Sequence, residues 1–334
     1  MRKKIVVLAI VLIFSVSLFA NATKETKADV VKVDVANLYT EGSVCDLASK
    51  ELVKLLNDSG LFQVNYYPNS QLGSLYDQIE SLLADAPIIT LGGGSDWGDR
   101  VNVREMSVIM TPFLYEDLGD VWGIADSDFW KEMLKDAEKS GVKILNYPIV
   151  SGSRYFMTNK KVLVPADFAG QKIRVPNSSA YVNTFNAFGA TPTPISVGDL
   201  YMSLSQKLVD GCEFPYANAY QSQFYEVIKY AAKTPYVTTY DFFGISLKLW
   251  NSMSEEQQKT LENSLAKVSA YSFEVFPSLE AEGRQMLADK GMEFVDIDAD
   301  AFRARMDRYY ELSGWTDEFR ANVMKAMSDF RAKK

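Results

Sequence analysis

The chain has 334 residues, no histidine, and 35 lysines plus arginines against 43 aspartates plus glutamates, for a formal charge of −8. The lack of histidine excludes Ser-His-Asp and Cys-His catalysis, histidine-bearing zinc sites and a histidine pH switch. The acidic balance argues against nucleic acid and anionic lipid, which both ask for a basic surface, and the length exceeds what one hydrophobic core usually supports, so two domains are expected.

Arg2, Lys3 and Lys4 precede an apolar run over residues 5–20, and Ala20-Asn21-Ala22 follows as a small-x-small site. The pattern predicts a signal peptide over residues 1–22, cleaved after about Ala22. The apolar run is shorter than the roughly 20 residues a membrane span needs. Cleavage would remove three positive charges and no negative one, taking the formal charge from −8 to −11. No cysteine ends the apolar run, which argues against a lipid anchor, and no later run reaches spanning length. No repeat or low-complexity tract stands out.

Residues 31–37 (VKVDVAN) alternate apolar and polar, as a half-buried strand does. The next segment puts Val44, Leu47, Ala48, Leu52 and Leu55 on one helical face. Residues 62–67 read as a strand, 74–84 as a helix with Leu75, Ile79, Leu82 and Leu83 inward, and 86–91 as a third strand before a Gly92–Trp97 turn. Alternating strands and helices predict an α/β domain with a mostly parallel sheet, and such sheets bind ligands past the carboxyl ends of their strands. Asn37, the Gly92–Trp97 turn and residues 213–216 fall at such ends.

A second α/β unit begins near Val150. Its expected strands are 154–158, 171–175 and 207–213; its expected helices are 178–188, 199–205 and 219–232, the last with Phe224, Val227 and Ile228 inward. Residues 235–247 read as a strand-rich segment that crosses back to the first domain. A capping pattern at residues 252–256 opens a long helix to residue 289, in which Pro277 is expected to kink or break the helix. The two cysteines, Cys45 and Cys212, are open to either a disulfide or two buried thiols. No Gly-Lys-Ser/Thr follows the glycine run, so no phosphate loop is expected, and no residue cluster has metal-ligand spacing. No cofactor is expected.

One stretch carries most of the functional information. It holds Ser151-Gly152-Ser153-Arg154, Lys172-Ile173-Arg174-Val175-Pro176, Gly189-Ala190-Thr191-Pro192-Thr193-Pro194 and Val209-Asp210-Gly211-Cys212-Glu213-Phe214-Pro215. Tyr67-Pro68-Asn69-Ser70-Gln71-Leu72-Gly73 precedes it, Thr111-Pro112-Phe113-Leu114 lies between, and Phe224-Tyr225-Glu226-Val227 follows. In order and spacing these segments resemble the DctP-type solute-binding proteins of tripartite ATP-independent periplasmic (TRAP) transporters. The resemblance covers almost all of the chain after residue 22. It implies a two-domain periplasmic binding protein (Venus-flytrap) fold with a long domain-spanning helix. The domains would be discontinuous: residues 29–150 with about 237–276, and residues 151–236 with about 277–334.

The resemblance implies that Arg174 grips the carboxylate of an organic acid and that Arg154 is a second donor or an orienting neighbour. A guanidinium fits a carboxylate with two parallel N–H donors, and exclusion of water strengthens the pair. The competing reading is that each arginine holds a protein carboxylate. Asn37 matches a ligand-contacting asparagine of some members, and Val197 a position that is aromatic in sialic-acid-type members. Phe214 replaces the family's ligand-bonding asparagine, and the glycine run replaces polar side chains. Trp97, Tyr216 and Tyr220 fall near the expected cleft edges.

These departures point to a monocarboxylate with an apolar tail or ring. The alternative is a hydrophobic or lipid-like ligand, carried with a tetratricopeptide-repeat partner. The resemblance further implies export to the periplasm, action as a monomer, and delivery of solute to a TRAP membrane permease. Metal ions bridge ligands to some members, so the resemblance leaves room for a cation. An exported hydrolase and a structural surface protein are the rivals from other classes. Caps and the family segment already account for Asp199, Asp210 and Glu213, and the two-domain α/β pattern argues against a structural role.

Overall fold

A computed structural model describes residues 29–334; the expected leader lies outside the described residues. Eleven strands occur among those residues: β1 (Val31–Ala36), β2 (Phe62–Tyr67), β3 (Ile88–Gly93), β4 (Val142–Ile144), β5 (Ile149–Thr158), β6 (Lys172–Val175), β7 (Thr191–Pro194), β8 (Gly211–Phe214), β9 (Tyr230–Ala232), β10 (Val237–Ser246) and β11 (Glu293–Val295). Their main order is β2-β1-β3-β10-β5-β8-β6-β7, with β4 beside β10, β9 beside β5 and β11 beside β9.

The long strand β5 joins two halves. Residues of its first part, Ile149 to Arg154, pair with β10, and residues Tyr155 to Thr158 pair with β8. This is the two-domain α/β arrangement expected from the sequence. The sheet is mixed rather than mostly parallel. β1 is parallel to β2 and β3, and β6 to β7 and β8. However, β10 returns antiparallel between β3 and β5, and β5 is antiparallel to β8. A strand that crosses back from the second half enters the first sheet against the direction of its neighbours.

Sequence patterns explain most elements. Ser43 caps helix Val44–Asp58, whose core face is Val44, Cys45, Ala48, Leu52 and Leu56. Leu47 and Leu55 are only half-buried, so the buried face is turned slightly from the expected one. Ser74 and Asp77 form a capping box on helix Leu75–Leu83, which buries Ile79 and Leu82. Helix Glu255–Asp289 spans 35 residues, about 52 Å at 1.5 Å per residue. Its Leu261, Leu265 and Val268 pack with Leu52 and Phe243 of the first half, and its Leu287 with Tyr216 and Ala231 of the second. The helix is continuous through Pro277. That residue is exposed, so water can take the carbonyl that the proline leaves unbonded.

Several expected elements differ. The helix expected over residues 219–232 is a short helix Tyr216–Gln221, a 3-10 turn Phe224–Glu226 and β9. Gln223 adopts φ +58°, which ends the helix and frees Tyr230–Ala232 to pair with β5 and β11. The strand expected from residue 207 begins only at Gly211, because Lys207 turns the chain at φ +59°. The strand expected from Arg154 starts at Ile149. The glycine run is no turn: β3 continues through Gly93, and Gly94 opens helix Gly94–Val101. A Cβ on Gly94 would lie 2.5 Å from the Ile109 side chain and 2.6 Å from the Met106 carbonyl. The glycine run, where the family carries polar side chains, therefore leaves no open room above Gly94: protein fills it.

Cys45 and Cys212 are both free and buried, in separate clusters. Among the described residues no helix is long and apolar enough to cross a membrane.

Candidate functional site: two walls of a cleft

One wall comes from β5, β8 and β6. β8 lies between the other two, which puts its Glu213 within reach of an arginine from each side. Arg154 forks onto Glu213: its Nε donates to Oε2, and one Nη donates to Oε1 at 2.8 Å. Glu213 is fully buried and also accepts the Tyr236 hydroxyl at 3.0 Å. Tyr181 supplies a ring 4.9 Å from the Arg154 guanidinium carbon.

Arg174 is only 1 % exposed, yet it is not satisfied in the same way. Its Nε donates to the Ile195 carbonyl at 2.8 Å. Its Nη1 makes no hydrogen bond and lies 3.9 Å from Glu213 Oε1. Burial, together with the like charge of Arg154, lowers its pKa although Glu213 opposes this. The Phe214 ring lies 5.8 Å from both guanidinium carbons and packs on Phe224. An aromatic face at that distance is a favourable neighbour for a cation.

The other wall comes from the first half and is acidic. Tyr39 donates its hydroxyl to Asp241 Oδ2 on β10. Asp96, in the first turn of helix Gly94–Val101, is raised to about 7 by desolvation and then by the negative charges of Asp241 and Asp99. Asp241 is raised to about 6 by desolvation, against the hydrogen bonds from Tyr39 and Ser151 and the charge of Arg154. Hydrogen bonds link the two halves, one of them buried. Ser95 and Ser178 share a hydroxyl hydrogen bond at 2.9 Å, Tyr76 donates to the Asn177 carbonyl at 2.7 Å, and Thr40 donates to Gln221 at 2.8 Å.

The structure brings Arg154, Arg174 and Phe214 together and puts the other expected residues elsewhere. Asn37 is fully buried; its amide donates to Ser49 and to Tyr66, both at 2.9 Å, and its oxygen accepts from the Tyr39 backbone. Trp97 is a core residue that donates to the Phe242 carbonyl and covers Gly244. Tyr216 stacks on Tyr155 and donates to the Ala232 carbonyl, so it too belongs to the core. Tyr220 packs on Tyr225. Val197 is half exposed at the first turn of helix Val197–Ser205.

Sequence reasoning passed over Tyr39, Tyr181, Tyr236 and Asp241; Asp96 and Glu213 fell inside the candidate strand-end ranges 92–97 and 213–216 without being singled out for a charge role, and Glu213 was also assigned to the family segment. The signal for Asp241 was present: it is a lone acid in the apolar strand VTTYDFFGIS. Tyr181 and Tyr236 carry no comparable mark, because buried tyrosines are common in cores. Among the described residues no group of three or more Cys, Asp or Glu side chains is arranged to hold a metal ion.

Comparison with known proteins gives this geometry a family. The sequence model of bacterial extracellular solute-binding protein family 7, DctP, matches residues 35–314. A TRAP periplasmic solute-binding protein of Actinobacillus succinogenes, solved with bound L-galactonate, superposes with a TM-score of 0.82 at 27 % identity; the match covers 89 % of this chain and 99 % of that one. The sialic acid-binding periplasmic protein SiaP of Vibrio cholerae is 27 % identical over 84 % of this chain and 86 % of its own length. The 2,3-diketo-L-gulonate-binding periplasmic protein YiaO of Escherichia coli is 25 % identical over 87 % of this chain and 88 % of its own length. The chain thus belongs to the family 7 solute-binding proteins of TRAP transporters, which bind and hand over solutes and are not enzymes.

Proposed function

We propose that this protein captures a small organic acid between its two walls, takes the acid's carboxylate on Arg174, and delivers it to a TRAP membrane permease. The observation that carries the reading is the Arg174 Nη1 group, buried and without a hydrogen-bond partner. A buried guanidinium with an unmet donor costs free energy unless an anion arrives to meet it. Arg154 then positions rather than grips, because Glu213 already takes its fork.

The protein acts in the periplasm as a monomer after cleavage near Ala22. Its domains divide as residues 29–150 with about 237–276, and 151–236 with about 277–334. Closure is a hinge motion whose balance the ligand shifts, and the hydrogen bonds between the two halves hold the closed form.

An apolar tail on the acid loses its main supports. Phe214 is flanked by two cations, and the space over Gly94 is filled. The relatives named above bind hydroxylated acids, which lends no support to a hydrophobic carrier with a tetratricopeptide-repeat partner.

The test is native mass spectrometry of freshly purified protein, followed by identification of what is released on unfolding. A carboxylate retained by the wild type and absent from Arg174→Ala is the expected result. A neutral apolar ligand that survives the Arg174 change overturns the reading.

A further inference from the structure

The junction of the two halves holds an acid that the ligand site does not use. Helix Glu255–Asp289 is tied to the first half by the Ser269 hydroxyl, which donates to the Pro148 carbonyl at 2.6 Å, and by the Ser272 hydroxyl, which accepts the Val150 N–H at 3.1 Å. It is tied to the second half at Gly283, where a Cβ would lie 2.5 Å from the Ala217 backbone nitrogen. Pro277 and Glu280 lie between these attachments. The strand crossing is irregular as well. Gly152 of β5 pairs with Thr239 and Val150 with Tyr240, so Ser151 is an extra residue, and Gly152 adopts φ +141°. A bulge of this kind bends a strand.

The two crossings meet at a cavity of about 20 Å³. Ser43 and Val44 reach it from the first half, Pro215 and Asn218 from the second, Gly152 from β5 and Glu280 from the helix. The space admits a single water, which needs roughly 10–15 Å³. Glu280 Oε1 is buried and makes no hydrogen bond.

The surrounding groups bring no free positive charge to it. Tyr155 from β5 and Tyr216 from helix Tyr216–Gln221 are its titratable neighbours, and their rings stack at 3.7 Å. On the first half, Glu41 and Asp46 both pair with Lys50 at 3.0 Å. On the same helix, the Arg284 guanidinium lies over the Phe294 ring at 5.2 Å. Burial pushes the Glu280 carboxyl up to about 7, and hydrogen bonding from Tyr155 opposes the rise.

Opening draws the Ser43–Val44 side of the cavity away from the Pro215–Asn218 side and lets water reach the acid. Closing strips that water. An ionised carboxylate without a partner loses far more by this than a neutral acid does. Closing therefore favours the protonated acid, and protonation favours closing.

We propose that Glu280 is a proton-linked switch of domain closure: the halves close with uptake of a proton at this carboxyl and reopen on its release. The switch rests on the hinge closure described above and not on the Arg174 clamp. In the open form the acid has an ordinary value of about 4.3. Between that value and about 7 the closed form holds more protons, so the closed share rises as pH falls through this window.

Small-angle scattering of the ligand-free mature chain from pH 8 to pH 5 tests the switch. The wild-type radius is expected to shrink as pH falls, and each unit by which closing raises the acid's pKa changes the closed-to-open ratio by about tenfold. Asp96 and Asp241 titrate in the same range, so the readout is the difference between variant and wild type. Glu280→Gln keeps the shape and loses the charge; it should be more compact than the wild type at pH 8 and match it at pH 5. Tyr155→Phe removes the hydroxyl that favours the charged form and should move the midpoint to higher pH.

A wild-type radius that ignores pH, a Glu280→Gln curve that overlays the wild type, or a Tyr155→Phe midpoint that stays or falls would each overturn the proposal. Arg174→Ala should follow the wild-type curve. Failure of the clamp, read from ligand binding, and failure of the switch, read from this curve, are thus distinguishable.

Discussion

Arg154 on β5 and Arg174 on β6 flank the same strand, and their surroundings differ. Arg154 has both oxygens of Glu213, a tyrosine ring beneath it and some access to water. Arg174 is more deeply buried and has one carbonyl and an idle Nη1. A single carboxylate cannot give a bidentate pair to two arginines. The one it serves becomes a strut; on the proposed reading the other takes the ligand's anion.

The largest expected effect breaks the strut. Arg154→Ala leaves the buried Glu213 with only the Tyr236 hydroxyl and the more distant Arg174, and should cost about 3 kcal/mol in urea unfolding. Adding Glu213→Gln should recover much of that loss, because the stranded charge is then gone. Arg174→Ala should do the reverse: affinity for the acid falls by about a hundredfold or more, roughly 2.7 kcal/mol, while unfolding changes less than in Arg154→Ala. Equal stability losses in the two variants would erase the distinction between strut and clamp.

A third variant sharpens the comparison from outside the site. Gly244→Ala would push a Cβ to 2.4 Å from the Trp97 ring and should destabilise by about 1–3 kcal/mol. Affinity measured on the folded fraction should not move, as expected if Trp97 is core. Ser178→Ala removes the buried bond to Ser95 that links the halves and should shift the open–closed balance by about 1 kcal/mol, read from the scattering radius without ligand.

A further effect is in pH. The folded values of about 7 for Asp96 and about 6 for Asp241 lie above the unfolded value of roughly 3.9. Between those limits the folded protein holds more protons than the unfolded chain, so these two groups make stability fall as pH rises from about 4 to about 7. Asp96→Asn should flatten that fall and melt higher than the wild type at pH 8.

Local signals were readable wherever local chemistry decides. The period-2 run of β1, the caps Ser43 and Ser74, and the positions of β2 and β10 follow from neighbours in sequence. The arginines and Phe214 were readable because their segments carry a family pattern. Misreadings arose where distant packing won. Gly94 reads as loop until Ile109 and Met106 are seen against it, and residues 219–232 read as helix until β5 and β11 recruit Tyr230–Ala232. Trp97 and Tyr216 fall near the expected cleft edges in sequence, and the structure shows Phe242 and Tyr155 beside them.

By itself the sequence determined an α/β pattern and a chain without histidine chemistry, which follow from periodicity and composition. The family, and with it the expectation that Arg154 and Arg174 stand near a ligand, came from the resemblance of short motifs. Only the tertiary structure decided that Glu213 takes the fork of Arg154 and leaves the Arg174 Nη1 without a hydrogen bond, and that Asp96 and Asp241 come together. That choice depends on where Glu213 lies between β5 and β6, and on β10 bringing Asp241 beside Asp96 from 145 positions away. Charge pairing in a folded interior is a contest for few partners across short distances, and chain order does not show who wins it.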